Sequence, residues 1–161
     1  MKKNILFLSA LFFLTACAKN EENIKANLKA QTLMYTQKNK INIMQNSAIV
    51  TMSYLNPVLD NTPKDENFVL SIAPDFDFKI KEITINGKKT SIDKIGKNDE
   101  ILKYLISNDF TRYYKITSPL QKDNTLKVNI CLENYPCFEL SFQRYSKSLY
   151  YRSANIDTQY N

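Results

Sequence analysis

The amino-acid sequence predicts a mainly β protein, an antiparallel β-sandwich with one or two short helices. Along most of the 161-residue chain, apolar residues recur at every second position in short runs, which is the periodicity of strands with one buried face. Prolines and polar turn residues end these runs rather than interrupt them, and an Asn-Gly pair joins two of them. Eight or nine short strands separated by turns are typical of a sandwich.

The first predicted strands lie in the N-terminal half of the chain. Apolar residues alternate through residues 40–45, 48–55 and 68–72, and a proline follows each of the last two runs. Asn46 and Ser47 are turn-forming residues, so they are predicted to join the first two strands.

The strongest local turn signal is Asn86-Gly87, because both residues accept the positive φ of a type I′ turn. This pair predicts a hairpin whose second strand returns over residues 88–92. Beyond it, Asn98 is predicted to cap a brief helix with an apolar stripe over residues 101–105.

A change of phase in the apolar pattern precedes that hairpin. Apolar residues occupy even positions up to Ile80 and odd positions from Ile83 onward. An extra residue in one strand produces such a change, so the pattern predicts a β-bulge near Lys81 and Glu82.

Two cysteines in the C-terminal half, Cys131 and Cys137, are predicted to form a disulfide. Alternating apolar residues lie on both sides of the 132–136 connection, which turns the chain back antiparallel. The pattern places the two cysteines opposite one another, within reach of a cross-strand bond. A redox-active pair is disfavoured, because five residues separate the cysteines and the chain has no histidine to lower a thiol pKa.

Both ends of the chain are predicted to lie outside the main group of strands. Residues 18–31 carry acidic residues before basic ones and a thin apolar stripe, which favours a short helix, or equally a tether. At the other end, a last strand is predicted at residues 149–152, followed by a polar tail.

The first seventeen residues have the layout of a bacterial export signal. Lys2 and Lys3 precede an apolar run that is too short to span a membrane, and the run ends in Leu14-Thr15-Ala16-Cys17. This quartet resembles the lipobox of bacterial lipoproteins. The resemblance implies that Cys17 is acylated (the palmitate-type modification of that family) and that cleavage makes it the first residue. Ala18, rather than Asp, follows the cysteine, and this resembles the sorting pattern of enteric bacteria that implies the outer membrane.

The expected domain organisation rests on these features. Residues 1–16 are a cleaved signal peptide, and residues 17–36 are a lipidated N-terminus with a tether or short helix. Residues 37–153 form the sandwich, and residues 154–161 form the tail. The mature chain is long enough to bury one core.

The composition disfavours several classes of function. The chain has no histidine and only two glycines, so it offers no Ser-His-Asp relay, no imidazole-ligated zinc and no Gly-rich phosphate loop. Without Lys2 and Lys3, 20 basic residues remain beside 16 acidic ones, spread along the chain and mostly lysine. We therefore expect no catalytic residues, no metal, no cofactor, no nucleic-acid partner and no enzyme activity.

A cluster of tyrosine and arginine residues near the C-terminus is the candidate partner surface. Tyrosine supplies contact area at low entropic cost, and basic neighbours suit an acidic glycan or a protein. The alternative is that these side chains line a strand and cover the edge of the core. The candidate residues are Arg144, Tyr145, Tyr150, Tyr151 and Arg152.

In layout and composition, the chain resembles small lipoproteins of Campylobacter-type bacteria that have an immunoglobulin-like sandwich. The resemblance implies a non-enzymatic envelope lipoprotein that acts in binding, adhesion or structure. A periplasmic accessory factor for envelope assembly, or an inhibitor of a cell-wall hydrolase, is the alternative. The expected location is the bacterial cell envelope, with the lipid anchor in the outer membrane and the domain on its periplasmic face or on the cell surface.

Overall fold

The computed structural model describes residues 22–43, 46–59, 63–75 and 78–144. Residues 22–33 form one α-helix, α1. Nine strands follow within the described residues: β1 (Thr36–Ile43), β2 (Asn46–Tyr54), β3 (Asp65–Ala73), β4 (Ile80–Ile85), β5 (Lys88–Lys89), β6 (Ser91–Ile95), β7 (Arg112–Pro119), β8 (Thr125–Leu132) and β9 (Phe138–Gln143). Two 3₁₀ helices lie between strands, at Asn56–Val58 and Glu100–Tyr104.

The strands form two antiparallel sheets. One sheet has five strands in the order β1-β2-β3-β7-β6, and the other has four in the order β5-β4-β8-β9. The prediction of a mainly β, antiparallel sandwich is confirmed.

The main core lies between the two sheets and follows from the alternation in the sequence. Successive side chains of a strand point to opposite faces, so every second residue of β2 and β3 is inward and buried, as Val50, Met52, Phe68 and Leu70 show. The four-stranded sheet supplies the opposite wall, and the Phe142 ring meets Phe68 edge to face with centroids 5.3 Å apart. The other residues of this wall are Ile83, Ile85, Leu126, Val128, Ile130, Leu132 and Leu140.

A second, smaller core covers part of the outer face of the five-stranded sheet. Val69 and Tyr113 point outward from β3 and β7 and are buried there. They pack with Leu55, Leu102 and Leu105, which come from the two 3₁₀ segments and their flanks. The five-stranded sheet therefore has packed side chains on both faces.

The Asn86-Gly87 turn is confirmed, with φ of 48° and 78° at its two residues. The predicted return strand over 88–92 is wrong in its extent, because only Lys88 and Lys89 pair with β4. At Thr90 the chain leaves that sheet, and Ser91–Ile95 pairs with β7 in the other one. Local alternation is the same whichever sheet a strand joins, so the pattern did not reveal this crossing.

Other local predictions meet mixed outcomes. The register of β4 against β8 shifts between Ile80 and Glu82, which confirms the bulge. The predicted turn at Asn46 and Ser47 is wrong, because both residues pair with β1.

The predicted cap of the brief helix is also displaced. Asp99, not Asn98, accepts a hydrogen bond from the backbone N–H of Ile101 at 3.0 Å. The segment it caps is a 3₁₀ helix.

Cys131 and Cys137 form the predicted disulfide, with their Cα atoms 4.2 Å apart. The register of β8 against β9 pairs Ile130 with Phe138. The next residue toward the connecting loop is therefore a cysteine on each side. Asn134 turns the connection with φ of 58°. The disulfide therefore closes the short loop at the turn end of this hairpin.

Candidate functional site

An open cleft of about 270 Å³ lies on the outer face of the five-stranded sheet, beside the second core. We call it the outer cleft. The residues that line it are Lys29, Thr32, Leu33, Thr36, Ile49, Thr51, Ser53, Ser71, Ala73, Tyr104, Leu105, Ile106, Asn108, Thr111 and Tyr113.

Strand geometry sends small polar side chains into the floor of the outer cleft. In β2 the inward positions are apolar, so the residues between them, Thr51 and Ser53, face outward. Ser71 of β3 pairs with Thr51 in the register of the two strands, which sets their side chains side by side. The floor is therefore a patch of hydroxyl groups on a sheet that is apolar on its other face.

Helix α1 forms one wall of the outer cleft. Positions 22–27 are all exposed, whereas Thr32 is buried. The Thr32 hydroxyl donates to the Leu28 carbonyl at 2.9 Å, and the Thr36 hydroxyl donates to the Thr32 carbonyl at 2.8 Å. The second bond connects the end of the helix to the start of β1, and Lys29 of this helix lines the cleft.

The segment after the second 3₁₀ helix forms the opposite wall, and Asn108 fixes its shape. The Asn108 backbone N–H donates to the Tyr113 hydroxyl at 2.9 Å. Its side-chain oxygen accepts from the Phe110 backbone N–H at 2.9 Å and from the Thr111 hydroxyl at 2.8 Å. A loop held by three hydrogen bonds thus presents Ile106 beside the cleft.

Most hydroxyl groups of the floor donate their proton within the protein. Ser71 donates to the Thr51 carbonyl at 3.3 Å, and Thr111 donates to Asn108. Since the proton of Thr36 goes to the Thr32 carbonyl, Ser53 must be the donor in the 2.8 Å bond between Ser53 and Thr36. A hydroxyl oxygen has two lone pairs, so the floor offers acceptors to a ligand and few donors.

The rim of the outer cleft is apolar and exposed. Leu33, Ile49 and Ile106 are 54%, 49% and 67% exposed. They account for three of the seven large apolar side chains that are exposed in the described part of the chain. Such a concentration around one concave site is typical of ligand and partner sites.

Lys29 is the one charged side chain among the described residues that line the outer cleft. It forms no ion pair or hydrogen bond with any residue that the structure describes. The cleft therefore pairs an uncompensated positive charge with an apolar rim and a floor of acceptor oxygens.

Arg144 is the one residue of the sequence-predicted partner surface that the structure describes, and it does not line the outer cleft. Arg144 follows β9, and its guanidinium donates to the Glu66 carboxylate and to the Gln121 carbonyl. Its charge is therefore paired with a carboxylate of the domain, although the side chain stays 23% exposed. Tyr145, Tyr150, Tyr151 and Arg152 lie outside the described residues, as does Cys17.

Glu66, which the sequence analysis did not single out, is the fully buried centre of this second polar site, with 0% exposure. Besides Arg144, its carboxylate accepts from the Tyr54 hydroxyl at 2.8 Å, the Asn56 side chain at 3.1 Å and the Gln121 backbone N–H at 2.9 Å. We call these five residues the Glu66 cluster. The sequence did contain a signal that Glu66 is buried. Glu66 alternates with Phe68 and Leu70 in β3, and this pattern places position 66 on the inward face of the strand.

The residues of the outer cleft also escaped sequence reasoning. Ser and Thr at alternate strand positions are ordinary for a face in water, and nothing in their spacing distinguishes a cleft floor from open surface. The floor is concave because wall residues such as Lys29 and Ile106 stand beside it. These are distant from Thr51 and Ser71 in sequence.

Neither a metal-binding cluster nor a membrane-spanning helix occurs in the part of the chain that the structure describes. No group of three or more His, Cys, Asp or Glu side chains is arranged to hold a metal ion within the residues described. In the same part of the chain, no helix has both the length and the apolar character needed to cross a bilayer.

Comparison with known proteins leaves the geometry as the basis for assigning function. No protein-family model matches the chain, and neither a curated protein nor a solved structure matches it significantly. The immunoglobulin-like identity of the sandwich and the lipoprotein resemblance stay predictions.

Proposed function

We propose that this protein is a lipid-anchored, non-enzymatic binding protein of the bacterial cell envelope, and that the outer cleft is its ligand site. The outer cleft is the observation that carries the binding role. It combines exposed apolar side chains, acceptor oxygens and a lysine that has no partner among the described residues, which is the composition of ligand sites in general.

The lipoprotein part of the proposal is supported by the sequence at the N-terminus. Leu14-Thr15-Ala16-Cys17 fills each lipobox position after a short apolar run. Two or three acyl chains, at about 0.8 kcal/mol per buried methylene, hold a protein at a membrane far longer than one chain does. The proposed location is the outer membrane.

The exposure pattern of α1 fits a spacer between the anchor and the sandwich. Residues 22–27 are six consecutive exposed positions, and they cover every side of the helix. This part of α1 therefore packs no face against the domain. The helix of residues 22–33 is about 18 Å long at ~1.5 Å per residue, and Cys17 lies five residues before it.

The anchor is tested by intact mass measurement of the protein purified from membranes. We expect a chain that begins at residue 17 and carries added acyl mass, and that floats with lipid vesicles in a density gradient. The Cys17→Ser variant is expected to stay in the soluble fraction. A native chain with an unmodified Cys17, or with residues 1–16 attached, contradicts the proposal.

The ligand site is tested by NMR with mixtures of small organic fragments. Residues 17–161 are produced with Cys17→Ser, so that no acyl group competes for apolar surfaces. We expect the backbone amides shifted by bound fragments to cluster at Thr51, Ser71 and Thr111. Clustering elsewhere, or no saturable shifts at all, contradicts the assignment of the outer cleft.

A further inference from the structure

We infer that the ligand of the outer cleft is the C-terminal end of a peptide with an apolar last residue. In this arrangement the terminal carboxylate meets Lys29, peptide N–H groups donate to the floor hydroxyls, and the last side chain packs on the rim. The inference rests on the proposed function and names the class of ligand that the cleft accepts.

The carboxylate is assigned from charge. Lys29 has no carboxylate partner among the described residues, and no acidic side chain in the described part of the chain lines the outer cleft. A ligand anion is therefore attracted by one cation and repelled by no lining anion. The ammonium group carries three donors and a positive charge, whereas Ser53, Ser71 and Thr111 donate within the protein, so Lys29 is the place for the carboxylate.

The peptide N–H groups are assigned from the hydrogen bonding of the floor. Ser53 donates to Thr36, Ser71 donates to the Thr51 carbonyl, and both oxygens keep lone pairs. Covering these oxygens with an apolar group removes their water and leaves them without a donor, which costs free energy. A ligand with N–H groups replaces that water.

The apolar last side chain is assigned from the rim. Leu33, Ile49 and Ile106 belong to three separate elements, namely α1, β2 and the loop that Asn108 holds. A branched aliphatic side chain that enters between them removes apolar surface from water on both partners. A simple fatty acid offers a carboxylate for Lys29 and an apolar chain for the rim, but it has no N–H groups to donate to the floor oxygens.

The test compares two peptides that differ in one charge. Acetyl-Gly-Ala-Leu with a free carboxylate and the same peptide with a C-terminal amide are titrated into residues 17–161 carrying Cys17→Ser, with NMR as the readout. We expect the acid to bind about fivefold more tightly than the amide, as for a partly exposed ion pair. Equal affinity of the two peptides overturns the inference.

Lys29→Met and Lys25→Met form a matched pair of variants. Both lysines lie on α1 one turn apart, but Lys25 does not line the outer cleft. We expect Lys29→Met to remove the preference for the acid and Lys25→Met to keep it. If both variants reduce the preference alike, the effect is long-range charge, and Lys29 is not the carboxylate site.

Two further measurements distinguish the peptide from other possible occupants of the outer cleft. Octanoate that binds as tightly as the peptide acid overturns the role of the N–H groups. Shifts of the cleft amides that grow with protein concentration, without any peptide, assign the cleft to a second copy and also overturn the inference. Fragments that cluster at the cleft without any preference for peptide acids refute this inference alone, whereas absence of binding at the cleft refutes the proposed function.

Discussion

β3 connects two polar sites of opposite character. Glu66, near its first end, points inward, and four donors surround the carboxylate. Ser71, near its other end, points outward into the outer cleft, where Lys29 has no partner in the described chain. The same strand thus carries one polar group whose hydrogen-bonding capacity is used within the protein and one whose capacity is open to a ligand.

This contrast separates polar residues that the fold itself requires from polar residues that we propose to bind a ligand. A charge without water is tolerated only when it is paired and hydrogen bonded, so the Glu66 cluster contributes to the specific fold. A polar group that is open to water meets no such demand. The unused lone pairs of the outer cleft, and a lysine without a partner among the described residues, therefore support the proposed ligand site.

The largest expected effect comes from breaking the Glu66 cluster. Arg144→Met leaves a carboxylate with 0% exposure without its cation. We expect a loss of about 3 kcal/mol in the free energy of unfolding, the lower end for a buried pair because Arg144 is 23% exposed. Chemical denaturation measures it.

The double variant Glu66→Gln/Arg144→Met is the control for that prediction. It removes both charges, so its loss should fall at least about 1 kcal/mol short of the sum of the two single losses. Strict additivity would show that the pair is not coupled.

Removal of the disulfide should lower the free energy of unfolding by less than Arg144→Met does. For Cys131→Ala/Cys137→Ala we expect a loss of about 2 kcal/mol, because the bond closes a short loop and constrains the unfolded chain only modestly. Denaturation with and without a reductant measures it, and the reductant should not affect the variant. Peptide affinity at the outer cleft should stay within about twofold, since the hairpin belongs to the other sheet.

Tyr54→Phe tests one hydrogen bond of the Glu66 cluster. We expect a loss of about 1.5 kcal/mol at neutral pH, typical of a hydrogen bond to a charged group. Burial, and then the hydrogen bond to Glu66, raise the pKa of the Tyr54 hydroxyl well above its ordinary value.

The raised pKa of Tyr54 sets the sign of the pH dependence. Its stabilising contribution is complete below about pH 10, the ordinary pKa of tyrosine, and is lost as the pH rises further, because the unfolded hydroxyl releases its proton first. The difference in stability between wild type and Tyr54→Phe should therefore shrink above about pH 10. A difference that grows with pH would contradict this assignment.

The smallest effect on stability is expected at the outer cleft. Lys29→Met should change the free energy of unfolding by no more than about 0.5 kcal/mol, because no described partner is lost. Comparison with Arg144→Met in the same denaturation experiment contrasts two cations replaced by the same residue. A loss above about 1 kcal/mol would mean that Lys29 holds α1 on the domain and is not simply available to a ligand.

The features predicted correctly from the sequence are those that neighbouring residues control. Asn86-Gly87 forms its turn because few other pairs accept positive φ at both positions. The bulge after Ile80 was visible as a change of phase in one strand. The disulfide follows from the register of one hairpin.

The candidate site could not be predicted in the same way. Lys29, Ser71 and Ile106 come from three elements, and each is ordinary in its own segment. The ion pair of Arg144 was equally hidden, because Glu66 lies 78 residues away along the chain.

The alternation of strands, the Asn-Gly turn and the cysteine pair could be predicted from the sequence alone, because they depend on backbone preferences and on contacts within one hairpin. Long-range packing decided which sheet each strand joins and that the chain crosses between the sheets at Thr90. It also decided that Arg144 has a carboxylate partner and that Lys29 has none among the described residues. The sequence could not reveal these outcomes, because the role of each side chain there is set by neighbours that are distant along the chain.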